Sequence, residues 1–213
     1  MEYTALIVAA GSGTRMGLGY NKVYAPLTDG QPMLFHTMKV FQDDPDCHQL
    51  VIVTDSWAFL EHWHDVLPHD TVFVHGGNSR RESVRRGLTA VKYPVVFVHD
   101  GARPYVDRRS IEALKEAMKT EQAALLMVPC KDTIKVVKDG YVEKTLDRST
   151  LQAAQTPQAF ATDLLMSCLD QAAADGFEVT DDASAVEKYG HVRVRAVSGS
   201  YANFKITTPE DLR

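Results

Sequence analysis

Short apolar runs rich in valine and isoleucine alternate along the chain with longer segments whose apolar residues recur at helical spacing. That alternation predicts an α/β fold, a mostly parallel sheet covered by helices. Strands are expected at 4–9, 49–54, 71–75, 95–99, 123–128 and 191–197. Between them, RRESVRRGLTAV sets Val84, Leu88 and Val91 on one helical stripe, and IEALKEAMK does the same with Ile111, Leu114 and Met118. TDLLMSCLDQAAADG reads as a further helix, stopped by Gly176.

One segment breaks the alternation. In KDTIKVVKDGYVEKTLDRS, two β-rich runs flank Asp139-Gly140, a dipeptide suited to a tight hairpin turn. Charged residues interleave throughout it, so the hairpin is expected to have no strongly apolar face. It is then either a solvated excursion or an arm resting on something else. With no repeat, low-complexity tract or linker in view, the 213 residues are read as a single domain, 1–213, with an arm at about 131–148.

Composition narrows the function classes. A chain that is 45% hydrophobic and 24% charged is ordinary for a globular protein, and a net charge of -5 argues against a broad nucleic-acid surface. Cys47, Cys130 and Cys168 are far apart and never in a CxxC pair, so neither a disulfide framework nor a zinc knuckle is indicated. A reducing cytoplasm fits best. No apolar run is long enough for a membrane span. His62 and His64, two residues apart in EHWH, do not share a helical face and make a poor metal pair.

Chemistry gathers at the expected strand ends: AAGSGTR, TDSW, HGGNSRRES, HDGARP and VPCKDT each follow a strand. In open α/β sheets ligands bind at the carboxyl ends of strands. Gly11 and Gly13 would bring bare backbone N–H groups close to an anion, although neither the Rossmann fingerprint nor a Walker A loop can be drawn. A tight connection would explain the glycines equally well. Arg15 and Lys22 add two cations beside that loop, an arrangement suited to a triphosphate attacked at phosphorus. Asp100 ends an apolar strand, as a Mg2+ ligand or a turn aspartate would, and Arg103 can pair with it or face a second anion. Gly76 and Gly77 form a turn whose backbone can read a base edge, with Ser83 adding a side-chain bond and Asn78 or Ser79 capping the next helix.

With these stretches in view, the chain resembles the 2-C-methyl-D-erythritol 4-phosphate cytidylyltransferases of the non-mevalonate isoprenoid pathway. The likeness runs from Tyr3 to Leu212 through AAGSGTRMG, GG with RESV, VHDGARP, KDTIK, DRSTLQAAQTPQAF, TDDASAVE and NFKITTPEDL, in order. It implies a Rossmann-like nucleotidyltransferase fold with a protruding β-hairpin arm, acting on CTP and a sugar-alcohol phosphate. The acceptor phosphate would attack the α-phosphorus in line and release pyrophosphate. By the same likeness Arg15, Lys22 and Lys205 are catalytic, while Ala9, Ala10, Gly11, Gly13, Gly77, Arg80, Ser83 and Asp100 line the CTP site, with Asp100 towards ribose and Mg2+ or another divalent ion. The acceptor would meet Arg103 and Thr180 of one subunit and Thr133, Arg148 and Thr156 of a second, in a homodimer that exchanges its arms.

Asn21 departs from the family's usual proline and Asn78 from a frequent aspartate, and relatives usually continue beyond the position of Arg213. Two other readings compete. The ribitol-5-phosphate cytidylyltransferases share the loop, QTPQ and KITT, although HDGARP and TLDRS look more like the methylerythritol group. A regulatory nucleotide-binding module would keep the pocket without turnover.

Overall fold

The computed structural model describes residues 1–11, 20–56, 67 and 70–212. Strands β1 (Tyr3–Val8), β2 (Cys47–Val53), β3 (Thr71–Val74), β4 (Val95–Asp100) and β5 (Ala123–Pro129) lie where the apolar runs predict them. Next come the hairpin strands β6 (Lys135–Lys138) and β7 (Tyr141–Thr145), then β8 (Gln152–Ala161) and β9 (Arg195–Ser198). The helices are α1 (Met33–Gln42), α2 (Arg80–Leu88), α3 (Arg108–Ala117), α4 (Thr162–Ala174) and α5 (Asp182–Tyr189).

Among the described residues the main sheet has seven strands, in the order β3-β2-β1-β4-β8-β5-β9. It is parallel except for β8, which runs antiparallel to both β4 and β5. The apolar-run criterion misses β8 because QAAQTPQAFA is polar and alanine-rich and carries Pro157. That proline lacks an N–H to donate, and it lies where the β8–β5 register shifts between Leu125 and Met127. The last strand starts at Arg195, later than position 191, and His191 adopts a φ of 51°.

Both faces of the sheet are covered, which explains why the central strands read as continuous apolar runs. Along β1, Tyr3, Ala5 and Ile7 join a cluster with Met33, Leu34, Met38 and Phe41 of α1 and Ile111 and Leu114 of α3. Leu6 points to the opposite face, where Val84 and Leu88 of α2, Leu165 and Leu169 of α4, and Val186 of α5 pack. A Cβ at Gly87 would stand 2.8 Å from Val53 Cγ2, so glycine there lets α2 seat closely on the sheet. Val84, Leu88, Ile111, Leu114 and Met118 are all buried as predicted, but Val91 is not on the stripe: α2 ends at Leu88, and Val91 packs partly buried beyond it. Gly176 follows α4 with a φ of 63°.

The hairpin turns at Asp139 and Gly140, both with positive φ, as a two-residue turn of this kind requires. All five residues of β7 are exposed. Charge alternation hides one feature: Val137 and Val142 are cross-strand partners and form an exposed apolar pair on one face, while Tyr141, paired with Lys138, is exposed on the other. Among the described residues, no helix is long and apolar enough to cross a membrane.

Candidate active site

The order β2-β1-β4 makes the gap between β1 and β4 the place where connections depart to opposite sides, and such a switch point opens a crevice at the strands' carboxyl ends. Val8 and Asp100 are register partners across that gap. The crevice widens into a cavity of about 480 Å3. Ala9, Ala10, Gly11 and Lys22 from the β1 loop, Gly77, Arg80 and Ser83 from the α2 segment, and Asp100 and Lys205 all line it. Nine of the residues expected to be catalytic or to bind CTP thus meet in one cavity. Gly13 and Arg15, like His62 and His64, lie outside the described residues.

Each wall is fixed by local chemistry. Asn21 donates from Nδ2 to the Ala9 carbonyl, and its Oδ1 accepts from the Val23 N–H, capping the short 3-10 turn Lys22–Tyr24. The asparagine therefore ties the two ends of the glycine loop together, a task the family's usual proline cannot perform with a side chain. Lys22 Nζ donates to the Ile206 carbonyl at 2.6 Å. Ser79, not Asn78, caps α2, its Oγ accepting from Glu82 N–H at 3.1 Å. The Gly77 N–H donates to Ser83 Oγ at 3.0 Å, so in this state the two groups expected to read a base satisfy each other. A Cβ at Gly76 would lie 2.3 Å from Ala10 Cβ, which makes glycine necessary for the turn to approach β1 this closely.

Asp100 is the electrostatic centre. Lys205 Nζ donates to its Oδ2 at 2.8 Å, Arg80 Nε lies 3.4 Å from Oδ1, and Arg103 Nε lies 3.7 Å from Oδ2. Burial pushes the carboxyl pKa up, but the cations of Arg80, Lys205 and Arg103 outweigh it and hold the group well below the usual carboxylate range. Arg103 also donates to the Asn203 carbonyl at 2.8 Å, so it pairs structurally with Asp100 and braces the segment carrying Lys205. Fully buried Asn203 donates to the Thr156 carbonyl at 2.8 Å, and the Ile206 N–H donates to Ala102 O at 2.9 Å.

Thr156 departs from the sequence grouping. The resemblance groups it with the hairpin of a second subunit, yet β8 pairs with β4 and buries it beside Asp100 of its own chain. Its hydroxyl accepts from the Asp100 N–H at 3.0 Å and contacts His99 Nδ1 at 3.0 Å. The Arg103 carbonyl, 3.0 Å from His99 Nε2, can only accept, so neutral His99 carries its proton on Nε2 and its Nδ1 accepts from the Thr156 hydroxyl. Burial lowers the His99 pKa to about 4, and the imidazole is neutral. Thr133 and Arg148 are exposed on the arm, where Arg148 donates to Lys131 O at 2.7 Å, and Thr180 is exposed ahead of α5. Asp182, passed over as an individual residue in the sequence, lies 2.8 Å from Arg80, and only its place in TDDASAVE marks it.

Among the described residues no group of three or more His, Cys, Asp or Glu side chains is arranged so that it could hold a metal ion. Among the described residues Asp100 is the one carboxylate lining the cavity, and it is surrounded by cations. The donor set therefore suits a divalent ion carried in on phosphate oxygens, with Asp100 adding a single ligand.

The family model for 2-C-methyl-D-erythritol 4-phosphate cytidylyltransferase (IspD) matches residues 3–213. The chain belongs to this family. It is 44% identical to the 2-C-methyl-D-erythritol 4-phosphate cytidylyltransferase of Bacillus licheniformis, over 100% of this chain and 93% of that one. Among solved structures, the cytidylyltransferase of Francisella tularensis is 33% identical with a TM-score of 0.83, covering 100% of this chain and 97% of that one. The 4-diphosphocytidyl-2C-methyl-D-erythritol synthase of Anaerococcus prevotii reaches a TM-score of 0.89 at 28% identity, over 99% and 92% of the respective chains. The expected Rossmann-like cytidylyltransferase fold is thus the observed one, and membership in this family makes the protein a nucleotidyltransferase and disfavours the ribitol reading.

Proposed function

We propose that this protein transfers CMP from CTP to 2-C-methyl-D-erythritol 4-phosphate, giving 4-diphosphocytidyl-2-C-methyl-D-erythritol and pyrophosphate. The observation that carries this reading is the meeting of Lys22, Arg80, Asp100 and Lys205 around one cavity at the sheet's switch point, in a chain of this family.

An acceptor phosphate oxygen forms the new bond to the α-phosphorus while the bond from that phosphorus to the bridging oxygen breaks, and pyrophosphate leaves with that electron pair. The attacking oxygen is already anionic, so no general base is required. Catalysis then rests on positioning and charge. Lys22 and Arg15 stabilise charge on the α-phosphate and the leaving group, and Lys205 orients the acceptor phosphate. Ala9, Ala10, Gly11, Gly13, Gly77 and Ser83 hold the nucleotide. A bound Mg2+ or other divalent ion, with Asp100 as its protein ligand, supplies positive charge against the triphosphate.

The protein works as one domain, 1–213, in a cytoplasmic homodimer. Arg103 and Thr180 of one subunit and Thr133 and Arg148 on the partner's arm form the acceptor subsite. The exposed apolar pair Val137 and Val142 and the exposed Tyr141 on the arm support this, since a second subunit would cover them. Thr156 supports Asp100 from within its own chain.

Pyrophosphate release from CTP, measured with methylerythritol phosphate, with ribitol 5-phosphate and with neither, tests the assignment. Release with the first substrate alone is expected. Equal or better release with ribitol 5-phosphate overturns the acceptor, and CTP binding without any release favours a regulatory module.

A further inference from the structure

Asp182 occupies the first turn of α5 and is 0% exposed. Its Oδ2 lies 2.8 Å from Arg80 Nη2, while neither carboxylate oxygen makes a well-directed hydrogen bond among the described residues. A carboxylate withdrawn from water with so little compensation is costly. The ion pair with Arg80 is its principal compensation, and that pairing constrains the arginine in turn.

Arg80 is stretched between two carboxylates. Its Nη2 lies 2.8 Å from Asp182 Oδ2 and 3.5 Å from Asp100 Oδ1, and its Nε lies 3.4 Å from that same Asp100 oxygen. A planar guanidinium held between two carboxylates in this way is opposed from swinging to solvent, and the Asp182 contact is the shorter of the two. The two ends of this strut also belong to different parts of the proposed site. Arg80 begins α2, directly after the Gly77–Ser79 edge of the cavity, whereas Asp182 follows Thr180 and the α5 cap Asp181. Gln158 of β8 fastens that second end by donating to Asp181 Oδ2 at 2.8 Å and accepting from the Ala183 N–H at 3.0 Å.

We propose that Asp182 is a positioning residue that sets both substrate subsites through one buried ion pair, fixing Arg80 for the nucleotide and the Thr180 turn for the acceptor phosphate. The inference rests on the functional reading above, which puts CTP at Arg80 and the acceptor at Thr180.

Asp182→Asn removes the charge and keeps the shape, and Asp182→Ala removes both. CTP affinity is measured by calorimetry with Mg2+ and no acceptor. KM and kcat are then measured by pyrophosphate release, below each variant's unfolding transition. Weakening of CTP on the order of tenfold is expected for Asp182→Ala and a smaller loss for Asp182→Asn, with the acceptor KM rising in parallel and kcat changing by less than roughly threefold. In an Arg80→Gln background, Asp182→Asn should add no further loss, because residues acting through one contact are not additive. A residue that merely fills the core would lower the melting temperature and leave CTP affinity and both KM values alone. That result in folded Asp182→Asn overturns the proposal even if Asp182→Ala fails to fold. An undiminished further loss in the Arg80→Gln background also overturns it. If the unmutated protein releases no pyrophosphate with the acceptor, the functional reading fails, and the calorimetric comparison still decides whether Asp182 governs the nucleotide side.

Discussion

Lys205 Nζ stands 2.8 Å from Asp100 Oδ2, although 105 positions separate the two residues in the chain. Asp100 ends a central strand, and Lys205 arrives on the closing segment pinned by Asn203 and Ile206. The lysine neutralises the carboxylate. On the proposed function, a triphosphate with its divalent ion would offer each a different partner, the lysine a phosphate and the aspartate a metal, so the pair could separate without leaving either charge unpaired.

Activity should therefore require a divalent ion, and Asp100→Asn should lower turnover by on the order of a hundredfold, as loss of a metal-side carboxylate does. Pyrophosphate release in excess chelator and in the variant checks both. Full activity in chelator rules out a metal role for Asp100.

Lys22→Ala and Arg15→Ala should each reduce kcat by on the order of a hundredfold or more while the protein stays folded, since each removes a fixed charge beside the developing anion. Circular dichroism establishes the fold and steady-state kinetics the loss. Near-normal turnover in folded Lys22→Ala would contradict the mechanism.

If the arm completes a neighbour's site, Lys205→Ala and Arg148→Ala proteins should each be nearly inactive and yet complement one another. In a mixed dimer one site carries both defects and the other neither, so random pairing restores activity to roughly a quarter of wild type. Subunit exchange is shown by tagging one variant and co-purifying the other. Mixed dimers as inactive as their parents would place Arg148 in its own subunit's site.

His99 gives the fold a defined acid sensitivity. Burial lowers its pKa from 6.5 to about 4, so as pH falls through that interval the unfolded chain takes up a proton that the folded one does not. Stability contributed by the neutral imidazole is fully present above 6.5, and about 3 kcal/mol is lost as pH falls to about 4, below which this contribution is level. Urea unfolding across the interval should show that loss, and His99→Gln should flatten it. An equal slope in the variant would assign the sensitivity to other groups.

The sequence by itself determined what depends on neighbours along the chain. Alternating periods marked most of the strands and helices, Asp139-Gly140 marked the hairpin turn, and glycines after the strands marked the crevice, because each of these signals is local backbone geometry and side-chain spacing. The ordered motifs carried the family. Which strand lies beside which was a matter for the tertiary structure. Polar β8, inserted antiparallel between β4 and β5, put Thr156 beneath Asp100, and no hydrophobic period announced it. The pairings of Lys205 with Asp100, Arg80 with Asp182 and Asn21 with Ala9 likewise form only when separate segments meet. A charge in a sequence looks the same whether it will be solvated or buried, and only packing withdraws the water and selects its partner.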